Sequence, residues 1–357
     1  LFLSRQTLEE RLAATGNRPH GFDYMRVALA LLIICLHSGE ISYGPSEPAD
    51  IYANLWRGPA AALVPMFFAL SGFLVAGSLE RSRHLVTFFG LRALRIIPAL
   101  TGEVVLSALV LGPLLTTYSL HLYFTDPRFF TYFCNIIGDI HYQLPGLFTG
   151  NPDTDATNAQ LWTVPYELFF YIICAVIALI GIYKRRFLML AFVCIFFFLT
   201  LHGVDLEKHP RPWTVTGATL LTTGMVGMLF YRFKKIIPWN FGLFLAAAAI
   251  SLLLLSRREW DAFTPLPLTY ATVYLGLLNP PRDKYILSGD YSYGIYLYGW
   301  PLQQMTASFG STFRHWYINI LLAVPAVLAC AFASWWVIEK PALGLRVQLK
   351  RLEEKWR

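Results

Sequence analysis

YMRVALALLIICLHSGEI, residues 24–41, is the stretch on which the reading of this chain turns. As a helix rising about 1.5 Å per residue it reaches about 27 Å, close to the thickness of a bilayer's hydrocarbon core. Comparable apolar runs follow at roughly 59–78, 96–118, 161–182, 187–203, 214–231, 237–255, 263–280, 286–309 and 315–338. The expected fold class is therefore all-α: an integral membrane protein of about ten transmembrane helices, multi-pass and in contact with membrane lipid.

Composition agrees. Hydrophobic residues make up 56% of the 357 and charged residues only 14%, where a soluble domain carries about 25% charged residues. The net charge of +7 matters less than where the positive charges fall. With ten spans, 21 Lys and Arg residues lie on the side that holds both termini and seven on the other, with Arg26 inside the first span. That bias places both termini in the cytoplasm and explains the basicity as topology; no nucleic-acid partner is expected. The five cysteines form no CxxC pair, so neither a disulfide framework nor a metal centre is expected. No cleavable signal peptide is expected in the polar segment 1–21.

Two connections stand out. Residues 79–95 (LERSRHLVTFFGLRALR) alternate basic and apolar side chains, which predicts a short helix lying along the cytoplasmic surface. Residues 119–160 form a long external connection, aromatic at its start (Phe129, Phe130, Tyr132, Phe133) and turn-rich at its end (NPDTDATN). Connections of that length are often functional.

Charges inside spans are costly and single out candidate functional groups: Arg26, His37, Glu103 and Glu167, with Asp290 and Glu339 near span ends. Arg26 and His37 are eleven residues apart, so on one helix they share a face about 16 Å apart along the axis. A guanidinium nearer the cytoplasm suits a phosphate, and a deeper imidazole suits proton transfer. Equally, Arg26 can snorkel to headgroups and His37 can bond a neighbouring helix. Glu167, in LWTVPYELFFY, could orient His37 as the acid of a triad does, or pair structurally with a Tyr or Arg. FFALSGFL at 67–74 permits close helix approach around Ser71-Gly72; Ser71 as a nucleophile would need a base that the sequence does not place. Arg92 and Arg95, three apart before Pro98, either bind a polyphosphate or serve topology and headgroup contact.

Together these motifs fall in a recognisable order. Arg26-x10-His37 is followed by FFALSGFL, Arg92-x-x-Arg95 before Pro98, PGLFTGNP at 145–152, Asn158 ahead of LWTVPYELFFY, SYGIYLYGWPLQ at 292–303 and IEKPA at 338–342. The order resembles acyltransferase family 3, the ten-span bacterial membrane O-acyltransferases, over roughly residues 20–345. The resemblance implies a single transmembrane acyltransferase domain over 1–357, with a cytoplasmic segment at 1–21 and a short basic tail at 343–357. That tail is expected to be a short helix rather than the start of a fused esterase-like domain.

It further implies transfer of an acyl group, most often acetyl, from acyl-CoA to a hydroxyl of a cell-surface or lipid-linked glycan at the bacterial inner membrane. Acetyl-CoA enters as co-substrate, and no permanently bound cofactor and no metal is implied. His37 and Glu167 are then the implied catalytic residues. Arg26, Arg92 and Arg95 are implied to hold the acyl-CoA, and Ser71, Asn158, Trp162 and Tyr166 to contact substrate. One position departs from the pattern: Gly299 stands where the family often has His. The alternative function is a transporter or flippase moving an acyl group or lipid-linked glycan without chemistry. A polyprenyl-linked glycosyltransferase using Asp126, Asp139, Asp153 or Asp155 as base would leave the deep His and the basic cluster idle. A haem or quinone protein would lack paired deep histidines.

Overall fold

A computed structural model describes residues 6–17, 19–45, 56–81, 84–154, 156–202 and 214–355. Among these there are helices and turns and no strand, apart from an isolated bridge between Thr7 and Pro238. Each of the ten apolar runs carries a helix. Five are long and apolar enough to cross a membrane: Gly21–Tyr43, Arg57–Arg81, Leu85–Leu115, Ala159–Leu179 and Trp316–Leu349. The shorter apolar helices Arg186–Leu201 and Phe241–Leu255 join them. Asp155, one of the alternative bases, lies outside the described residues, as do several of the charges used for topology, among them Arg18, Arg83, Lys208 and Arg211.

The chain divides into two compact units, each assembled from three stretches: residues 1–29, 49–83 and 169–288 in the first, 30–48, 84–168 and 289–357 in the second. In the first unit the dominant packing is between Arg57–Arg81 and Gly217–Arg232. Small residues make it possible. A methyl group added at Gly72 would collide with the backbone carbonyl of Gly224, and one at Gly227 with that of Ala69. Close backbone approach of this kind replaces the hydrophobic drive that lipid does not supply. The buried hydroxyls of Thr222 and Thr223 donate to the carbonyls of Ala218 and Thr219 in their own helix, at 2.7 Å each. At one end of this unit Arg57 makes a two-pronged ion pair with Asp261, at 2.7 and 2.6 Å, and both side chains are buried. Arg57 also donates to the Leu255 carbonyl at 2.6 Å, so the buried charge is well satisfied.

The second unit is built around Ser292–Ser308, packed on Trp316–Ser334 and on the connection 144–163. Trp300 is fully buried among Ile41, Ala156, Ala159 and Ala307, with Tyr142 packed against that cluster. Amides join the parts. Gln303 donates to the Ile34 carbonyl at 2.9 Å and to Asn319 Oδ1 at 3.0 Å. Gln304 donates to the Asp153 carbonyl at 2.8 Å, and Asn151 donates to Gln304 Oε1 at 2.7 Å. Every buried amide of this kind needs its partners, so the network fixes where the connection can lie.

One expectation changes here. Residues 85–95 are not a separate surface helix: one helix runs Leu85–Leu106, passes through a π-helical turn at Ser107–Leu111 and ends at Leu115. Nothing in the stretch breaks the backbone hydrogen bonding, and Thr87 and Phe88 are buried rather than laid on a surface. At the turn-rich end of the long connection, Asn151, Asp153, Thr157 and Asn158 are buried: Asn151, Asp153 and Asn158 bond to Ser292–Ser308, and Thr157 bonds to Tyr142 and Leu144.

Candidate active site

His37 lies in the last third of Gly21–Tyr43 and is half-buried. Its ring stands edge-on to Trp300, centroids 4.8 Å apart and planes at 72°. Its Nδ1 lies 3.1 Å from the side-chain nitrogen of Gln160. The direction of that hydrogen bond follows from Gln160's other contacts. The backbone N–H of Trp300 can only donate, and it points at Gln160 Oε1 at 3.2 Å. The oxygen end of the amide is therefore spoken for, and the NH2 end faces the imidazole. Nδ1 accepts, so the neutral ring carries its hydrogen on Nε2.

Gln160 itself is held on every side. Its backbone N–H donates to Asn158 Oδ1 at 3.2 Å, and its carbonyl accepts from the Tyr296 hydroxyl at 2.8 Å. With the Tyr296 proton used there, the Thr163 hydroxyl donates to the Tyr296 oxygen, also at 2.8 Å. Asn158 caps a short 3-10 turn, Ala159–Thr163, and its Nδ2 donates to the Leu297 carbonyl at 3.0 Å. That carbonyl is available because Pro301, four residues on, has no N–H to give it. The proline in GWP and the asparagine ahead of the LWT motif are thus two halves of one device.

Gly299 explains how Gln160 reaches the histidine. A Cβ at 299 would stand 3.1 Å from Ile34 Cγ1 and 3.2 and 3.3 Å from the two polar atoms of the Gln160 side chain. The Gln160 amide thus fills the space next to the bare Gly299 backbone.

A second buried polar group lies in the same unit. Glu103 is fully buried and accepts from Ser107 Oγ at 2.8 Å, with Tyr132 and Asn158 close by. Burial pushes the Tyr132 phenol well above its ordinary pKa, so it stays protonated and able to donate. Ser107 opens the π-helical turn, a feature often found at functional sites.

The remaining predicted residues are placed as follows. Glu167 lies in the first turn of Val164–Leu179 and acts electrostatically on Tyr296, which holds the Gln160 carbonyl. Trp162 and Tyr166 stack edge-to-face, centroids 6.0 Å apart. Arg95 forms a part-buried ion pair with Asp290 at 3.1 Å, and Arg92 sits over the Phe88 ring at 5.9 Å. Arg26 is 4.0 Å from Asp23, and Ser71 precedes the Gly72 contact; both belong to the first unit. The structure therefore brings His37 and Asn158 together through Gln160. Sequence reasoning missed Gln160, Trp300, Tyr296 and the buried Glu40, which follows His37 by three residues on the same helix face.

Residues 20–340 match the family described as "Acyltransferase domain", acyltransferase family 3. Among curated proteins the chain is similar to an O-acetyl transferase of Shigella phage Sf6, 24% identical over 344 residues that cover 91% of this chain and 96% of that one. It is also similar to nodulation protein 10 of Rhizobium leguminosarum bv. viciae, 27% identical over 361 residues covering 94% and 96%. No solved structure matches. A family match over nearly the whole length establishes that this protein belongs to acyltransferase family 3 and is an acyltransferase.

Proposed function

We propose that the protein is an O-acetyltransferase that moves the acetyl group of cytoplasmic acetyl-CoA to a hydroxyl of a cell-surface or lipid-linked glycan. In this reading all ten apolar helices cross the bacterial inner membrane, with both termini in the cytoplasm. The name of the phage relative supports acetyl, and the charge bias supports the topology. The reaction balances without a further reactant: the hydroxyl oxygen bonds to the acyl carbon, the C–S bond breaks, and the hydroxyl proton ends on the sulfur of coenzyme A.

His37 carries that proton. Nδ1 accepts from Gln160 at rest; once the amide swings aside, Nδ1 takes the hydroxyl proton, and the ring, now positively charged, gives its Nε2 hydrogen to the departing sulfur. Glu167 supports the ring's transient positive charge. Arg92 and Arg95, with Arg26, hold the phosphates of the donor, and Ser71, Asn158, Trp162 and Tyr166 serve substrate binding. The single observation that carries the reading is the Gln160–His37 contact, a neutral anchor of a kind suited to a ring that exchanges protons.

The test is coenzyme A release from radiolabelled acetyl-CoA by purified protein, with and without a panel of surface-glycan acceptors, beside His37→Ala. Release that needs both acceptor and His37, with label appearing in an ester, is expected. Full turnover by folded His37→Ala would overturn the assignment of His37. Movement of label across a vesicle membrane without a new ester would establish transport instead.

A further inference from the structure

The connection between the third and fourth apolar runs holds a cluster that the transfer reaction does not use. In FCNIIGDIH, residues 133–141, the thiol of Cys134, the carboxylate of Asp139 and the imidazole of His141 lie within 4.8 Å of one another. We propose that this is a binding site for a zinc-like divalent transition-metal ion.

The loop is shaped before any ion arrives. The Asn135 side chain grips the His141 backbone at both ends: Nδ2 donates to its carbonyl at 2.9 Å, and Oδ1 accepts from its N–H at 2.8 Å. Gly138 turns the chain in the left-handed region, φ +86°, a conformation glycine adopts without strain. Its N–H donates to the Asn135 carbonyl at 3.0 Å, and the Asp139 N–H to that of Cys134 at 3.3 Å. The sequence spacing, Cys-x4-Asp-x-His, is no common metal motif, which is why no metal was expected; the turn creates the cluster.

The geometry and donor types agree on the class of ion. Asp139 Oδ2 and His141 Nε2 are 3.3 Å apart, about the separation of two ligands at 2.0–2.1 Å on a tetrahedral centre. The Cys134 sulfur completes the set with a side-chain shift of about an ångström, given a metal–sulfur bond of about 2.3 Å. Thiolate and imidazole select zinc and its neighbours over calcium and magnesium, which take oxygen ligands. Three protein ligands leave the fourth position to water or to a hydroxyl of a bound molecule. On binding, the Cys134 S–H bond gives way to a sulfur–metal bond and the proton leaves to solvent.

The position gives the ion something to act on. The next residue, Tyr142, packs against the Trp300 cluster, and its carbonyl accepts from the Thr157 N–H at 2.7 Å. Trp300 in turn meets the His37 ring. An ion at 134–141 would stiffen the wall behind the histidine.

The experiment is a cobalt titration of the chelator-treated full chain in detergent, with any affinity tag removed. Tetrahedral cobalt absorption with thiolate-to-metal charge transfer, at one ion per chain and displaced by zinc, is expected. Cys134→Ser should lose the charge-transfer band while Cys194→Ser keeps it. His141→Ala and Asp139→Asn should each weaken binding by about ten-fold or more. Asp139 is mostly exposed, so its variant should fold and unfold as the parent does without metal. Absence of the band in the parent, its persistence in Cys134→Ser, or unchanged affinity in Asp139→Asn would each overturn the site.

Discussion

Gln160 and Gly299 are complementary: the amide of one lies 3.2–3.3 Å from the position a Cβ of the other would take. The bare Gly299 backbone leaves a gap, and a side chain from a different element fills it. Gly299→Ala should therefore displace the Gln160 side chain or Ile34, costing about 1–3 kcal/mol of overpacking. Gly299→His alone should abolish turnover. Combined with Gln160→Ser, which vacates the space, it should recover part of it. A double-mutant cycle on coenzyme A release measures the coupling, and additive losses would show the two positions to be independent.

The Gln160–His37 hydrogen bond predicts a definite tautomer. In 15N spectra of histidine-labelled protein, one imidazole should show an unprotonated Nδ1 and a protonated Nε2, and His37→Ala should remove that signal. Gln160→Leu removes the donor with little change of volume. It should release the tautomer preference and lower kcat by about 10- to 100-fold, with a smaller effect on the KM for acyl-CoA, since the amide touches the ring and not the phosphates.

Much of this was legible from residue order. The ten apolar runs predict where helices lie because in lipid only a helix satisfies the backbone of a spanning segment. His37 stood out because an imidazole in such a run is costly and needs a reason. Gln160 did not, because a neutral amide beside LWTVPYEL carries no charge to flag it, and its partners come from residues 123 and 140 positions away in the chain. Glu40 was readable: three residues past His37 on one helix means one face. The continuity of Leu85–Leu106 was hidden by composition, since a basic and apolar pattern describes a surface helix and the buried start of a span equally well. The burial of Asn151, Asp153 and Asn158 follows from their bonds to Ser292–Ser308, and turn-rich composition does not announce such partners.

Glu103 should matter as an acceptor rather than as a charge. Ser107 Oγ donates to it at 2.8 Å. Glu103→Gln keeps a carbonyl oxygen in place and should lower the melting temperature only slightly. Glu103→Leu leaves the buried Ser107 hydroxyl without this acceptor, at about 1–3 kcal/mol, so the melting temperature in detergent should fall below that of the Gln variant. Equal melting temperatures for the two variants would contradict the acceptor role.

Arg95 and Asp290 offer a test of donor binding in which two substitutions move the same quantity in opposite directions. The pair is part-buried at 3.1 Å, and Asp290 is also held by Ser292 Oγ at 2.8 Å, so the carboxylate stays in place when the arginine is lost. If Arg95 binds the donor's phosphates, Asp290 competes with them for one guanidinium. Arg95→Ala should then raise the KM for acetyl-CoA about ten-fold, equivalent to about 1.4 kcal/mol, with kcat little changed. Asp290→Asn removes the competitor and should lower the KM. Both effects should shrink modestly as ionic strength rises, because salt screens charges over about 10 Å at 0.1 M but screens a part-buried pair less than an exposed one. If Asp290→Asn raises the KM as Arg95→Ala does, the ion pair is structural, and the phosphates must be held by the other two arginines.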